Sequence, residues 1–267
     1  MGESELSDND PADVVEQTDD DAEAIARGRR RARFFTWFGA IFFGGLFLTC
    51  SLAVIFVDRM KDDIQCSSCL KQLGLALHNY HDVNGCFPPA YIADEDGRPM
   101  HSWRVLILPY IDQAALYGKY RFDEPWDGPN NSKLHDAVVP GFQCPIDAAD
   151  HEHATWTSYV AVVGPHTCWP GTEPVRIAEI TDGTSSTLLI AECRNSGIHW
   201  MEPRDLHVGQ MPLAVNPAGG QGISSPHESG ARVLAADGSV HFLSNDTDAE
   251  MLRRLIERDD GELVGNF

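Results

Sequence analysis

The fold of this 267-residue chain is decided by residues 64–92, IQCSSCLKQLGLALHNYHDVNGCFPPAYI, and by residues 226–244, PHESGARVLAADGSVHFLS. In the first stretch, apolar side chains recur at three- and four-residue spacing, which predicts a helix with one buried face. Asn84-Gly85 caps this helix, and the prolines that follow prevent its return. In the second stretch, Asp237-Gly238 between two alternating apolar runs predicts a closing β-hairpin.

Short elements are predicted between these two stretches, because turn-forming residues interrupt every apolar run. The sequence predicts a strand at Trp103–Ile111, kinked at Pro109 or leading into a short helix at Asp112–Tyr120, a helical turn at 131–137, strands at 157–163, 187–192, 231–235 and 239–243, and an irregular, surface-facing insertion at 194–226. Most of the chain after the first helix is therefore expected to form β-strands and loops.

Charge and hydropathy divide the chain into four predicted segments. The net charge is −20, which argues against a nucleic-acid partner because phosphate binding needs clustered positive charge. Residues 1–26 are expected to be a disordered acidic cytoplasmic tail, since they lack the apolar side chains that could offset the entropy of ordering. Residues 27–33 form a basic juxtamembrane segment, residues 34–57 a transmembrane helix and residues 58–267 an extracytoplasmic domain.

The apolar run at 34–57 carries no charge and would extend about 36 Å as a helix, enough to span a hydrocarbon core of about 30 Å. Arginines precede it, so the positive-inside rule predicts an inner-membrane protein with a cytoplasmic N-terminus. A cleaved signal peptide is the competing interpretation, but this run is longer than a signal sequence and lacks a small-residue cleavage site. A buried soluble helix is the other alternative, which the length and flanking charges disfavour.

Six cysteines lie beyond the predicted span: Cys66, Cys69, Cys86, Cys144, Cys168 and Cys193. In an exported domain they predict up to three disulfides, among 15 pairings that the sequence does not distinguish. Cys66-x-x-Cys69 could instead bind metal or act as a redox dithiol. No second such pair follows it, so structural disulfides are the favoured interpretation.

His227, nine residues and then Asp237-Gly238 resemble the prepilin-type processing-associated H-x9-DG domain family of bacterial pilin- and pseudopilin-like proteins. Three further blocks match in order: Leu70–Tyr91, FQCPID at 142–147 and ITDGTSSTLLIAE at 180–192. The resemblance implies an α+β, pilin-like fold, in which a long N-terminal transmembrane-plus-amphipathic helix packs on an antiparallel β-sheet. It implies no established activity.

The chain departs from that family at the expected processing site. Family members carry a glycine, then an apolar residue that is methylated, and a glutamate at the fifth mature position. Here Gly39 is followed by AIFFG, with no glutamate. We therefore expect that the chain is not processed as a prepilin.

Metal-ligating residue types cluster in one loop, at Asp147, Asp150, His151 and His153. Such loops are usually solvated, and no cofactor is predicted. His227 and Asp237 suggest acid–base chemistry, but a structural role is favoured, with Asp237 forming the turn and His227 holding the incoming strand. A metal- or thiol-dependent enzyme would require two or more candidate side chains to meet in one pocket, from among the cysteines and His78, His151, His153, His166 and His227.

These observations predict a membrane-anchored structural or interaction protein that is not an enzyme. Its expected partners are the lipid bilayer and proteins of a secretion or pilus-like assembly. The alternative is an extracytoplasmic module that binds a sugar, a peptide or a cation through the loops at 123–156 and 194–226.

Overall fold

Helix α1 occupies residues 64–84 and begins at the first residue that the structure, a computed structural model, describes. The described residues are 64–148, 153–218, 221–227, 229–262 and 264. Leu70, Leu73 and Leu77 are fully buried along one face of α1, as their spacing predicts. The helix ends where Gly85 takes a φ of 78° and donates its backbone N–H to His81 O at 2.7 Å, so the predicted cap is confirmed.

In the residues that the structure describes after α1, there are four short helices and eight strands. The helices are α2 (Trp103–Leu106), α3 (Ala114–Tyr117), α4 (Pro145–Ala148) and α5 (Ala249–Ile256), with 3₁₀ turns at Leu108–Tyr110, Asn131–Leu134, Pro140–Phe142 and Ile177–Glu179. The strands are β1 (Tyr91–Ala93), β2 (Pro99–Ser102), β3 (Tyr159–Val160), β4 (Val162–Val163), β5 (Leu188–Glu192), β6 (Leu206–His207), β7 (Gly230–Ala235) and β8 (Val240–Ser244).

The largest sheet has the order β3-β5-β7-β8, and all of its neighbouring strands are antiparallel. The β7–β8 hairpin turns at Asp237-Gly238, where the φ of Gly238 is 87°, so the predicted hairpin is confirmed. The predicted strand at 187–192 is confirmed as β5, which begins one residue later, at Leu188. β1 pairs with β2 in a second, two-stranded sheet, and β4 pairs with β6 in a third.

Helices cover both faces of the four-stranded sheet. On one face, Leu73 and Leu77 of α1 share an apolar core with Leu234 of β7. On the other face, Leu252 of α5 packs in a second core with Val233 of β7. Because successive side chains of a strand point to opposite faces, adjacent residues of β7 serve the two cores. The sheet therefore holds its β5 and β7 strands at the centre of the fold.

The predicted fold class is wrong. A pilin-like fold has one long helix laid on one antiparallel sheet, whereas the described strands form three sheets, and β4–β6 is parallel. No helix in the described part of the chain is long and apolar enough to cross a membrane. With 23 Gly and 16 Pro, the chain is interrupted too often to build one sheet of long strands. The tail, basic segment and span predicted at 1–26, 27–33 and 34–57 lie outside the described residues.

The predicted strand at Trp103–Ile111 is also wrong, because the segment forms α2 and a 3₁₀ turn. Ser102 caps α2 by accepting the N–H of Arg104. Arg104 is fully buried and binds Asp205 at 2.5 Å and Tyr159 O. The helical turn places Arg104 so that its buried charge is compensated by Asp205 and by these additional bonds, which favours the helix over a strand. The pattern of apolar residues in the sequence does not reveal this ion pair.

Two other segments differ from their predictions. The strand predicted at 157–163 is split, so that β3 and β4 belong to different sheets. The insertion at 194–226 is irregular as predicted, but it does not simply face solvent. It supplies fully or almost fully buried side chains to both cores: Ile198, Trp200, Met201, Leu206, Met211, Val215 and Ile223. Its lack of periodicity therefore reflects irregular backbone and not exposure.

Candidate metal centre

Four side chains from four separate segments meet beside the four-stranded sheet. They are Cys66, Cys144, Glu192 and His227, and one potential ligand atom from each lies within 4.8 Å of the others. We refer to these four residues as the thiol–carboxylate cluster. Cys66, Cys144 and Glu192 are buried and His227 is half-buried. Two sulfurs, one imidazole nitrogen and one carboxylate oxygen therefore face a common point.

Each residue of the cluster is positioned by the element that carries it. Cys66 lies in the first described turn of α1, one turn before Leu70 on the buried face. Cys144 stands just before Pro145, the first residue of α4. Glu192 is the last residue of β5, and His227 precedes β7 by a few residues. Because β5 and β7 are neighbours, these two side chains meet at one end of the sheet.

The two thiols lie in direct contact, with their Sγ atoms 2.6 Å apart. The hydrogen bond from Cys66, together with bonds from His227 and from the backbone N–H groups of Ile146 and Asp147, lowers the pKa of Cys144 to about 5 against the cost of burial. The same bond, together with burial, raises the pKa of Cys66. These donors favour the thiolate form at Cys144, and thiolates are the form that binds metal.

The Glu192 carboxylate is buried with only part of its hydrogen-bonding capacity used. Oε2 accepts the backbone N–H of Arg232 at 2.7 Å. Oε1 is buried and accepts no hydrogen bond from the described residues. Burial raises the pKa of Glu192, while the Arg232 N–H and the Ser225 hydroxyl oppose this rise. A buried oxygen of this kind costs free energy unless a proton or a cation occupies its open side.

His227 lies between the cluster and a solvent-facing cavity. Its side chain hydrogen-bonds to the Cys144 sulfur. It also lines a cavity of about 380 Å³ on the outer side of the cluster. The cluster therefore adjoins this cavity through His227.

The donor set suits a thiophilic divalent cation. Zn²⁺ binds cysteine sulfur at about 2.3 Å and histidine nitrogen or carboxylate oxygen at about 2.0–2.2 Å, usually with four ligands. Ligands arranged tetrahedrally at those distances lie about 3.3–3.8 Å apart. To bind one Zn²⁺ together, the sulfurs of Cys66 and Cys144 must separate by roughly 1 Å from their present 2.6 Å.

The three family-motif residues have different positions. His227 belongs to the thiol–carboxylate cluster, whereas Asp237 and Gly238 form the turn between β7 and β8. Asp237 Oδ1 accepts the backbone N–H of Ser239 at 2.8 Å, the turn role that was expected for it. Asp237 therefore takes no part in the cluster, and acid–base chemistry between it and His227 is not favoured.

The structure describes all six candidate cysteines as free thiols. Cys66 and Cys144 are the pair in contact, while Cys69 and Cys86 are half-buried and Cys168 and Cys193 are buried elsewhere. The disulfide prediction stays a prediction, and geometry favours Cys66–Cys144 among the pairings that were open.

The predicted metal loop is not brought together in the described residues. Asp147 accepts a hydrogen bond from the Ser158 hydroxyl at 2.8 Å, and the His153 ring packs on Trp156. Asp150 and His151 lie outside the described residues. The cluster found among the described residues includes neither Asp147 nor His153, so the geometry favours a different ligand set from the one that sequence suggested.

Glu192 is the site residue that sequence reasoning missed. A signal existed, because Glu192 is a charged residue at the end of the apolar run TLLIAE, which is predicted to be a strand. The sequence favoured disulfides for Cys66 and Cys144, with metal or redox chemistry at Cys66 as the alternative. The convergence of these thiols with His227 meets the condition stated above for a metal- or thiol-dependent site.

A family model described as "Protein of unknown function (DUF1559)" matches residues 63–165. The match includes Cys66 and Cys144, ends before Glu192 and His227, and covers fewer than half of the 267 residues. No curated protein and no solved structure matches the chain. A similarity to a domain of unknown function is thus shown, whereas the resemblance to the prepilin-type H-x9-DG family is not confirmed.

Proposed function

We propose that this protein binds one thiophilic divalent metal ion, of the Zn²⁺ class, through Cys66, Cys144, Glu192 and His227. The observation that carries the proposal is the convergence of two thiols, an imidazole and a carboxylate within 4.8 Å. Soft thiolate ligands select such ions over Mg²⁺ and Ca²⁺, which take oxygen ligands. The proposal develops the cation-binding alternative that the sequence suggests, at a different set of residues.

Burial of the ligands supports the same conclusion. Cys66 and Cys144 are fully buried and Glu192 is 1% exposed, so water does not solvate their charged forms. Uncompensated charges in such a position are costly, and a divalent cation supplies the compensation. The open side of Glu192 Oε1 provides a ligand atom that no hydrogen bond occupies.

The contact between the two sulfurs favours a second candidate function, a redox-active dithiol. The separation of 2.6 Å is nearer to an S–S bond of about 2.05 Å than to the spacing of two thiolates on one zinc ion. In this reaction the Cys144 thiolate attacks an external disulfide. Cys66 then resolves the mixed disulfide, and the external disulfide leaves as two thiols. The oxidised pair cannot hold a metal, so the two functions exclude each other at any one moment.

The deciding experiment measures metal and thiol state in the same full-length protein. We expect native mass spectrometry and elemental analysis of the reduced protein, supplied with Zn²⁺, to give one zinc ion per chain. Cys144→Ser should weaken Zn²⁺ binding by on the order of 100-fold, because one of four ligands is lost. Cys86→Ser is the matched control, since Cys86 lies outside the cluster and should leave Zn²⁺ binding unchanged.

Two results would count against metal binding. Failure of the reduced protein to bind zinc stoichiometrically would reject the proposal. Recovery of the protein with a Cys66–Cys144 disulfide, no zinc and reversible reduction by a small dithiol would favour the redox candidate. Equal zinc loading in Cys144→Ser and Cys86→Ser would place any metal elsewhere.

The structural or interaction role stays a prediction beside this proposal. Three further expectations also stay predictions: the extracytoplasmic location, the bilayer anchor and the protein partners of a secretion or pilus-like assembly. A metal centre is compatible with that role, because metal binding stabilises many small extracellular domains without catalysis.

A further inference from the structure

The cavity outside His227 has the composition of a small-anion site. It has a volume of about 380 Å³. Its lining includes Arg194, Asn216, Ser224, Ser225, His227 and Asn245. No lining residue that the structure describes is acidic, although the chain carries a net charge of −20. The cavity is therefore lined by a guanidinium and by several hydrogen-bonding side chains on an acidic protein.

The walls of this cavity are held by hydrogen bonds between its loops. Asn216 Oδ1 accepts the backbone N–H of Ser225 at 2.8 Å, and Asn216 Nδ2 donates to Asn245 Oδ1 at 2.7 Å. The backbone N–H of Arg194 donates to Ser224 Oγ at 3.1 Å. The loop that follows β5 is thus tied to the loop that precedes β7, and the cavity is preformed.

Backbone conformation points to the same location. Asn195 and Asn216 both have positive φ, at 49° and 51°. Of the three non-glycine residues with positive φ among the described residues, these two line the cavity. Such conformations occur at binding sites more often than elsewhere, and here neighbouring bonds maintain them.

The cavity and the thiol–carboxylate cluster share His227, and Ser225 connects them further. Ser225 lines the cavity and its hydroxyl interacts with Glu192. A ligand in the cavity would therefore lie against the imidazole that helps to hold the metal. Arg194 also lines the cavity and is exposed, so its guanidinium can pair with a carboxylate through two parallel bonds.

We infer that this cavity binds a small monocarboxylate, with the carboxylate on Arg194 and the remainder of the ligand against His227 beside the metal. The inference rests on the proposed metal site. A monoanion is favoured over a phosphate dianion because the acidic surface repels the dianion more strongly. The asparagine and serine side chains that line the cavity supply further polar groups for an amide or hydroxyl of the ligand.

The test uses the zinc-loaded full-length protein and two probes of nearly equal size. N-acetylglycine carries a carboxylate, and N-acetylglycinamide replaces it with a neutral amide. We expect titration calorimetry to show saturable binding of N-acetylglycine and at least tenfold weaker binding of the amide. Arg194→Gln should weaken N-acetylglycine binding at least tenfold, and inorganic phosphate should compete poorly.

The matched control is Arg176→Gln, because Arg176 is also an exposed arginine but lies outside the cavity, in an ion pair with Glu179. Arg176→Gln should leave the binding of N-acetylglycine unchanged. Zinc-loaded protein that does not distinguish the acid from the amide would overturn the inference while leaving the metal proposal intact. Equal affinity with and without zinc would overturn the placement beside the metal. Loss of zinc binding itself would instead contradict the proposed function.

Discussion

At the scale of single residues, burial decides which titratable groups are neutral. His101 is buried, where Nδ1 bonds to Tyr120 Oη at 2.8 Å and Nε2 to Phe122 O at 3.2 Å. Loss of solvation lowers the pKa of His101 in the folded protein. Loss of solvation also raises the pKa of Glu192. Burial therefore favours the neutral form of both the imidazole and the carboxyl group.

The lowered pKa of His101 predicts a loss of stability at low pH. Between the lowered folded pKa and the unfolded value of about 6.5, the unfolded chain binds more protons than the folded protein. The contribution of His101 to the free energy of unfolding therefore falls as pH drops below about 6.5. We expect His101→Gln to reduce the slope of stability against pH in this range, measured by urea unfolding between pH 5 and 7.5. An identical slope in the variant and the natural chain would contradict this assignment.

At the scale of elements, the β7–β8 hairpin determines where His227 lies. Gly230 lies three residues after His227 and begins β7. It pairs with Ser244 of β8. A Cβ at position 230 would overlap Leu243 O and approach Phe242 Cζ to 2.6 Å. The strands can pair this closely at that point because residue 230 has no side chain.

Gly230→Ala should therefore destabilise the hairpin and displace His227. We expect the free energy of unfolding to fall by about 1–3 kcal/mol, the usual cost of overpacking, and zinc affinity to fall with it. Gly141→Ala is the control, since a Cβ there meets no atom within 4 Å and its φ is not positive. Chemical denaturation of both variants, followed by zinc titration, makes the comparison. Equal stability of the two variants would show that the backbone can relax at residue 230.

At the scale of the whole molecule, the proposed ligands come from segments far apart in sequence. Cys66 lies near the start of the described chain, His227 lies just before β7, and Cys144 and Glu192 lie between them. The unfolded chain cannot hold these four groups together, so a metal bound at this site favours the folded state.

Binding of Zn²⁺ should consequently stabilise the folded protein against thermal unfolding. We expect Zn²⁺ to raise the unfolding temperature of the reduced protein, by an amount that grows with the logarithm of free zinc. A chelator should reverse the increase, and Mg²⁺ at the same concentration should have no effect. Differential scanning calorimetry of the natural chain and of Cys144→Ser makes the measurement. An equal zinc-induced rise in both proteins would show that the stabilising ion binds outside the cluster.

Sequence by itself determined the elements whose signals are local. The spacing of Leu70, Leu73 and Leu77 specifies the buried face of α1, and Asp237-Gly238 specifies the hairpin turn, because each pattern is set by neighbours a few residues apart. The same patterns did not reveal that α2 replaces a strand or that the strands divide among three sheets. The predicted membrane span lies outside the described residues and stays a prediction.

Only the tertiary structure decided the candidate site. Four motif blocks each contain or adjoin one member of the cluster, yet nothing local to Cys66, Cys144 or His227 shows that they meet. Glu192 acquires its role because β5 lies between β3 and β7, which buries the end of the strand beside both thiols. Contacts between residues distant in sequence depend on the pairing of strands and the packing of α1 on the sheet. Those interactions are collective properties of the folded chain, and no single segment encodes them.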